Sequence, residues 1–243
     1  MRLSEEGKQL LLEGARALGE DVGPHLPRFD RLYDLLTEAN QQVNLTALRE
    51  ERAVVIKHFL DSLSCLLSGR LEGELAVIDV GTGAGFPGLP LKIVRPALRM
   101  HFLEATRKKL RYVEEASTAL GLPGTAFLWD RAEAVAHRPR WRERFDRAVV
   151  RAVGPMGEIS ELCLPLLRVG GYLIAQKGPE VGAELEGAEE GLKPLGGVLE
   201  EGKAFELPFT GAASSSSKKW PPAPRATPAS PKRSPDMDYS DSQ

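Results

Sequence analysis

A glycine-rich turn follows a short apolar run near the middle of the 243-residue chain. The run, residues 77–80, contains one acid, Asp79, and glycines stand at positions 81, 83 and 85. Glycine lets the backbone turn sharply and approach a ligand closely. Residues 83–88 also satisfy the GxGxxG pattern of dinucleotide sites, which alone does not separate NAD from S-adenosylmethionine. The turn therefore predicts a nucleoside-containing ligand of one of these kinds.

Acidic residues at three positions bear on which ligand the turn binds, and Asp79 favours the sulfonium ligand. Asp79 precedes the first glycine by two residues, where a carboxylate can order the turn and interact with a methionine ammonium, whereas it would repel a pyrophosphate. Glu104 ends a second apolar run and can accept hydrogen bonds from ribose hydroxyls, as it also would in an NAD site. Ala132 and Glu133 follow a third run and suit an adenine edge. An NAD-dependent oxidoreductase or a nucleotide-binding regulator stays an open alternative.

These residues sit at the ends of regularly spaced apolar runs. The runs cover residues 75–80, 100–104, 125–129, 147–150 and 171–176, and their ends lie about 21 to 26 residues apart, with helical patterns between them. Repeated βα units predict a parallel, doubly wound sheet with ligands at the carboxyl ends of its strands. We expect an α/β chain with an N-terminal helical extension over 1–70 and a Rossmann-like core over 71–210.

The composition changes after Gly211. Four serines occupy positions 214–217, and a proline-rich stretch follows. Such a segment cannot bury enough apolar surface to fold, so we expect a disordered tail over 211–243. One hypothesis for its origin is a frameshifted reading of the gene.

The net charge and the cysteine content limit which partners and which kinds of site the chain can have. The net charge of -2 shows no global basic excess, so contact with RNA would have to use local runs such as residues 107–111 and 138–147, which could equally be solvated surface. Lys108 is the cation we favour, because it begins a helix beside the second strand. Cys65 and Cys163 stand in apolar stretches, so we expect neither a disulfide framework nor a metal site. No run is long enough to span a membrane, and we expect a cytoplasmic monomer.

The residues after the fourth strand bear on the methyl acceptor. Exocyclic amines of bases are usually served by an Asn/Asp-Pro-Pro-aromatic motif, but the chain has Arg151 and Ala152 there. A cysteine nucleophile for pyrimidine C5 is disfavoured, since the apolar pattern around Cys163 predicts a core helix. A ring nitrogen such as guanine N7 carries an in-plane lone pair and needs no base. Methylation of another RNA or of a small molecule stays open.

Several motifs together resemble a known family in order and spacing. The chain from about residue 26 to 211 is similar to the bacterial ribosomal RNA small-subunit methyltransferase G family, also called glucose-inhibited division protein B. The motifs that carry the resemblance are residues 44–46 (NLT), 57–62 (KHFLDS), 79–88 (DVGTGAGFPG), 93–96 (IVRP), 107–109 (RKK), 151–152 (RA) and 177–179 (KGP).

The resemblance implies a class I S-adenosylmethionine-dependent methyltransferase that modifies N7 of guanosine 527 in the 530 loop of 16S rRNA, free or in the 30S subunit. It also implies two sets of site residues. The cofactor set comprises Asp79, Gly81, Gly83, Phe86, Glu104, Ala105, Thr106, Ala132, Glu133 and Arg151. The set that positions the target guanosine and its phosphates comprises His58, Arg95, Lys108, Arg151 and Lys177. The C-terminus departs from the family, which has a final apolar strand where this chain has the serine run.

Overall fold

The computed structural model describes residues 1–151, 153–178 and 191–200, together with the backbone of three short strands at 204–206, 217–219 and 225–226. Its N-terminal part is helical, as the apolar spacing predicts. The helices are α1 (Glu5–Ala17) and α2 (Leu26–Ala39), joined through a 3-10 turn at Gly23–His25. Ser4 caps α1, because its side chain accepts a hydrogen bond from the Gly7 N–H.

A continuous helical segment at 51–68 completes the extension. It comprises α3 (Glu51–Val54), a π-helical stretch (Val55–Leu60), α4 (Asp61–Leu63) and a 3-10 turn (Ser64–Ser68). Its apolar face packs on α1 and α2, where Phe59 contacts Phe29 at a ring-centroid distance of 5.3 Å. π-Helical turns are rare and frequently mark functional sites. This one contains His58.

Five parallel strands form the centre of the main sheet. They are β1 (Ala76–Val80), β2 (Arg99–Glu104), β3 (Thr125–Trp129), β4 (Phe145–Arg151) and β5 (Leu167–Gln176). The helices between them are α5 (Gly88–Val94), α6 (Arg107–Ala119), α7 (Ala132–His137) and α8 (Met156–Cys163). One apolar core joins α5 and α6 to the N-terminal helices, and a second joins α7 and α8 to the other face. The expected doubly wound α/β sheet is confirmed.

Short strands extend the sheet beyond β5. The full order is β3-β2-β1-β4-β5-β9-β6, in which β6 is Gly197–Val198 and β9 is Arg225–Ala226, antiparallel to β5. A separate pair joins β7 (Ala204–Glu206) to β8 (Ser217–Lys219). Within the expected disordered tail, β8 and β9 are therefore paired strands, because backbone hydrogen bonding needs no apolar side chains. The rest of 211–243 lies outside the described residues.

The strand order reverses at β1. Strands β2 and β4 lie on its two sides, and their connections run to opposite faces of the sheet. In open α/β sheets a crevice opens at such a switch point, outside the carboxyl ends of the strands. The glycine turn leaves β1 at this crevice.

A buried asparagine fixes the loop that leads from α2 toward the crevice. The Oδ1 of Asn40 accepts hydrogen bonds from the N–H groups of Leu45 and Thr46, at 2.9 and 3.1 Å, and its Nδ2 donates to the Thr46 carbonyl at 3.0 Å. Asn40 is 5% exposed. The side chain thus supplies hydrogen-bond partners for both the N–H and the carbonyl of Thr46 and a second acceptor for the Leu45 N–H.

We expect Asn40→Ala to lower the free energy of unfolding by about 2 kcal/mol, because buried backbone groups would lose their partners. The exposed Asn44 four residues later provides a matched control, and Asn44→Ala should change stability by less than about 0.5 kcal/mol. Urea denaturation of the three proteins measures both effects. Equal stability of the two variants would contradict the assigned role of Asn40.

Candidate active site at the carboxyl edge of the sheet

The carboxylate of Asp79 lies under the glycine turn and holds it in place. Its Oδ2 accepts hydrogen bonds from the Thr82 hydroxyl at 2.7 Å and from the N–H of Gly88, the first residue of α5, at 2.9 Å. Asp79 is completely buried, and burial raises its pKa to about 6, against the hydrogen bonds and the positive charge of Arg151, which lower it. These contacts order the turn in the way that the sequence predicts for Asp79.

The turn itself crosses the end of the neighbouring strand. The N–H groups of Gly81 and Thr82 both donate to the Leu103 carbonyl in β2, at 2.9 and 3.1 Å. Gly81, Gly83 and Gly85 all have φ between 58° and 87°, a region in which other residues are strained. A Cβ on Gly85 would lie 2.3 Å from Leu89 Cδ1, whereas a Cβ on Gly83 would meet no atom closer than 3.9 Å. Gly83 therefore borders open space at the crevice.

The carboxylate of Glu104 faces this open space from the end of β2. Its Oε2 accepts from the Gly83 N–H at 3.0 Å, and its Oε1 accepts from the Thr106 N–H at 2.8 Å. A carboxylate has about four acceptor positions, so each oxygen can take a further donor. Glu104 can thus support the turn and bind a pair of hydroxyl groups together.

Arg151 connects the end of β4 with the helical extension. Its Nη1 donates to the Lys57 carbonyl at 3.0 Å and to Asp61 Oδ2 at 3.1 Å, and its Nη2 contacts His58 Nδ1 at 3.2 Å. The side chain of Asp61 is 2% exposed, and that of Arg151 is 15% exposed. The guanidinium also lies 5.4 Å from the ring centroid of Phe86. This cluster joins the extension, the glycine turn and the sheet at one place.

The hydrogen bonds of His58 define its tautomer. A guanidinium only donates, so His58 Nδ1 must accept from Arg151. The proton then lies on Nε2, which is 2.8 Å from Thr46 Oγ1 and donates to it. The imidazole also stacks on Phe86 with a centroid distance of 4.5 Å and an interplanar angle of 6°. Both ring nitrogens are therefore engaged within the protein.

Other predicted residues surround the same edge. Ala105 and Thr106 are exposed directly after β2, and Ala132 and Glu133 form the first turn of α7. Lys177 follows β5 and donates to the Gly154 carbonyl at 2.7 Å. Lys108 is exposed in the first turn of α6, beside a groove of about 330 Å³ that Gln42, Arg111 and Glu115 also line.

Two predicted residues are placed differently from the expectation. Arg95 lies after α5 and before β2, at the amino edge of the sheet, where its guanidinium forms ion pairs with Glu20 at 2.7 Å and Glu72 at 2.9 Å. The prediction that Arg95 positions a target nucleotide is corrected, since it belongs to a structural ion-pair network. Phe86 is only 3% exposed as a whole residue, and its ring stacks on the His58 imidazole.

Comparison with known proteins identifies the family. The model of the family described as rRNA small subunit methyltransferase G matches residues 25–207. The chain belongs to this family. Curated proteins named ribosomal RNA small subunit methyltransferase G include one from Deinococcus deserti, 47% identical over 87% of this chain and 86% of its own length, and one from Deinococcus radiodurans, 46% identical over 87% and 83%.

Solved structures confirm the fold of this methyltransferase G family member. M. jannaschii TYW2 in complex with AdoMet matches with a TM-score of 0.54 and 13% identity over 67% of this chain and 74% of that one. A SAM-dependent methyltransferase from Aquifex aeolicus matches with a TM-score of 0.52 and 18% identity over 72% and 93%. The expected fold, that of S-adenosylmethionine-dependent methyltransferases, is therefore correct. Together with the family, this supports S-adenosylmethionine as the cofactor.

The residues at the crevice fit this cofactor. The turn forms a cradle that a Cβ on Gly83 would fill, the exposed Gly81 borders it, and Glu104 presents acceptors for a ribose. Within the described ranges no cluster of three or more His, Cys, Asp or Glu could hold a metal ion, and no helix there is long and apolar enough to cross a membrane. The carboxylate of Asp79 is fully buried, so it acts on a ligand through the backbone that it holds.

Sequence reasoning missed two members of the Arg151 cluster. Asp61 and Thr46 were parts of recognisable motifs but carried no assigned role. Asp61 lies three residues after His58, a spacing that places both side chains on one helix face. That spacing was the available signal. The partner of this face, Arg151, comes from a strand 90 residues further along the chain.

The raised pKa of Asp79 predicts that this buried carboxylate makes the free energy of unfolding depend on pH. Between about pH 4 and pH 6 the folded chain keeps a proton that the unfolded chain, with a pKa near 3.8, has released, so the free energy of unfolding falls as pH rises. Asp79→Asn retains an acceptor for Thr82 and Gly88 without the charge. Its stability relative to the wild type should increase by about 2 kcal/mol from pH 4 to pH 8.

Urea denaturation of both proteins across this pH range measures the difference. Because other acids titrate equally in both proteins, the difference isolates Asp79. A stability difference that stays constant with pH would contradict the buried, proton-binding carboxylate.

Proposed function

We propose that this chain methylates N7 of a guanine in 16S rRNA, at the 530-loop guanosine that its family resemblance implies. The support is the family membership, the names of the relatives, and the nature of the groups at the crevice. A substrate 16S rRNA, either free or in the 30S subunit, follows from the same names. The cytoplasmic location and the monomeric state are parts of this proposal.

The observation that carries the choice of a ring nitrogen is the arrangement around His58. Its Nδ1 accepts from Arg151 and its Nε2 donates to Thr46, so the imidazole is not arranged to remove a proton from an acceptor. An exocyclic amine or a ribose hydroxyl must lose a proton during methylation. Guanine N7 has no proton to lose, and its in-plane lone pair is directly available.

The protein then has to position the methyl donor and the guanine, and it does not need a general acid or base. When bound, S-adenosylmethionine supplies a methyl group on a sulfonium, which is an already activated donor. Gly81, Gly83 and Glu104 would hold the nucleoside part, with Ala132 and Glu133 beside the adenine. Arg151 and Lys177, at the ends of β4 and β5, would orient the guanine and its phosphates. Orientation of this kind can contribute roughly 7–11 kcal/mol to lowering a reaction barrier.

Incubation of 30S subunits and naked 16S rRNA with methyl-labelled donor, followed by mapping of the modified base, tests the proposal. We expect label on guanine N7 in the 530 loop of at least one of the two substrates. Label on an exocyclic amine would contradict the ring-nitrogen argument. Label on another RNA only, or on none, would contradict the substrate.

Two arginines provide a matched pair of variants. Arg151→Lys keeps the charge but loses the forked contacts to Asp61 and His58, so kcat/KM for RNA should fall about 10- to 100-fold, as expected for one or two lost charge-assisted hydrogen bonds. Arg95→Gln changes a guanidinium at the opposite edge of the sheet. It should lower stability by roughly 1–3 kcal/mol, because Glu20 and Glu72 lose their partner, and leave kcat/KM within about twofold.

Initial-rate kinetics of both variants against the wild type measure these effects. A loss of kcat/KM in Arg95→Gln as large as that in Arg151→Lys would restore Arg95 to the site. Wild-type kinetics in Arg151→Lys would remove Arg151 from it.

A further inference from the structure

A tryptophan is exposed beside the candidate site. Trp129 is the last residue of β3, and it is 58% exposed, in a part of the chain that otherwise buries its large apolar side chains. Its indole Nε1 donates to the Ala105 carbonyl at 3.0 Å, and the Arg107 guanidinium lies 4.8 Å from the ring centroid. The ring is therefore both exposed to solvent and fixed in orientation.

Trp129 lies on the face of the sheet opposite to α7, next to its register partner Glu104 in β2. Side chains alternate along a strand, and Trp129 shares the face of Phe127, which stacks on Phe102 under α5 and α6. Leu128 packs instead in the core below α7. Ala132 and Glu133, the residues proposed to meet the adenine, begin α7 on that opposite face. The contact with Arg107 of α6 confirms which way the indole points.

The charges around the ring are mostly positive. Arg107, at the start of α6, contacts the ring directly, Lys108 follows it, and Arg131 comes two residues after Trp129; all three are exposed. The nearest acid in sequence, Asp130, pairs with Arg138 at 2.5 Å. A fixed aromatic face with cations beside it matches a nucleobase that is attached to a phosphate backbone. It does not match an acidic or a purely apolar partner.

We propose that Trp129 and Arg107 form a stacking site for an unpaired base of the RNA substrate, adjacent to the nucleotide that enters the crevice. The indole carries the base, while Arg107, Lys108 and Arg131 contact the neighbouring phosphates. This inference rests on the proposed function, because it requires an RNA substrate. It adds a contact outside the methyl-transfer site that helps to select single-stranded RNA.

Three variants test the stacking site. Trp129→Ala removes the ring, Trp129→Phe keeps an aromatic face, and Val169→Ala removes a similarly exposed apolar side chain (50%) near the start of β5, at the other end of the strands. The measurements are the Kd for a short unstructured RNA, its dependence on salt, the KM for 16S rRNA or 30S subunits, and the Kd for S-adenosylhomocysteine.

We expect Trp129→Ala to weaken RNA binding about 5- to 100-fold, the range found for the loss of one stacked base. The slope of log Kd against log salt should stay unchanged, because no charge is removed. Trp129→Phe should retain most of the affinity, and Val169→Ala should bind RNA like the wild type. All three should bind S-adenosylhomocysteine like the wild type, which also shows that they are folded.

Wild-type RNA affinity and KM in Trp129→Ala, while the wild-type chain methylates 16S rRNA, would overturn the stacking site and leave the proposed function intact. A specific loss of S-adenosylhomocysteine binding in Trp129→Ala would make the residue a cofactor contact and would also overturn it. If the wild-type chain neither binds nor methylates RNA, the proposed function and the stacking site are both wrong.

Discussion

The buried carboxylate of Asp79 fixes the geometry on which the candidate site depends. One of its oxygens bonds to Thr82 within the glycine turn and to the first N–H of α5, so the turn and the helix after it are held in one arrangement. The cost is a charge removed from water, which the raised pKa reflects. A turn built only from glycines would be free to adopt many conformations. The acid beneath it selects one of them.

The helical extension depends on a second charged contact. Arg151 bonds to a backbone carbonyl and to two side chains of the segment at 51–68, while its guanidinium lies against Phe86 of the turn. Gln176 at the end of β5 adds a hydrogen bond of 2.6 Å to the Asp61 carbonyl. The extension is thus part of the wall of the crevice. It contributes His58 and Thr46 as well as apolar packing.

The sequence predicted local features better than long-range ones. The ends of β1, β2, β3 and β5 agree with the apolar runs because the carboxyl end of each strand is marked by an acid, a glycine or a polar residue. The beginnings of β4 and β5 are two and four residues earlier than expected, since Asp146 near the start of β4 and the exposed Arg168 near the start of β5 interrupt the apolar pattern. Asp79 and Glu104 could be assigned from their positions at strand ends.

Contacts between distant segments could not be predicted in the same way. Arg95 resembled a site residue in its motif, but the direction of α5 carries it to the amino edge of the sheet. Phe86 stands in the glycine turn, yet its ring is covered by His58 from another element. The exposure of Trp129 could not be predicted from the sequence, because it depends on where the start of α6 lies beside the end of β3. Each of these outcomes is decided by tertiary packing.

The proposed function requires that the glycine turn and Glu104 form a site for S-adenosylmethionine rather than for a dinucleotide. Titration calorimetry of the wild type and of Glu104→Gln with S-adenosylhomocysteine and with NAD tests it most directly. We expect one S-adenosylhomocysteine site per chain, affinity at least about tenfold weaker in the variant because a charge-assisted ribose contact is lost, and no NAD binding. Binding of NAD alone, or S-adenosylhomocysteine binding that does not depend on Glu104, would contradict it.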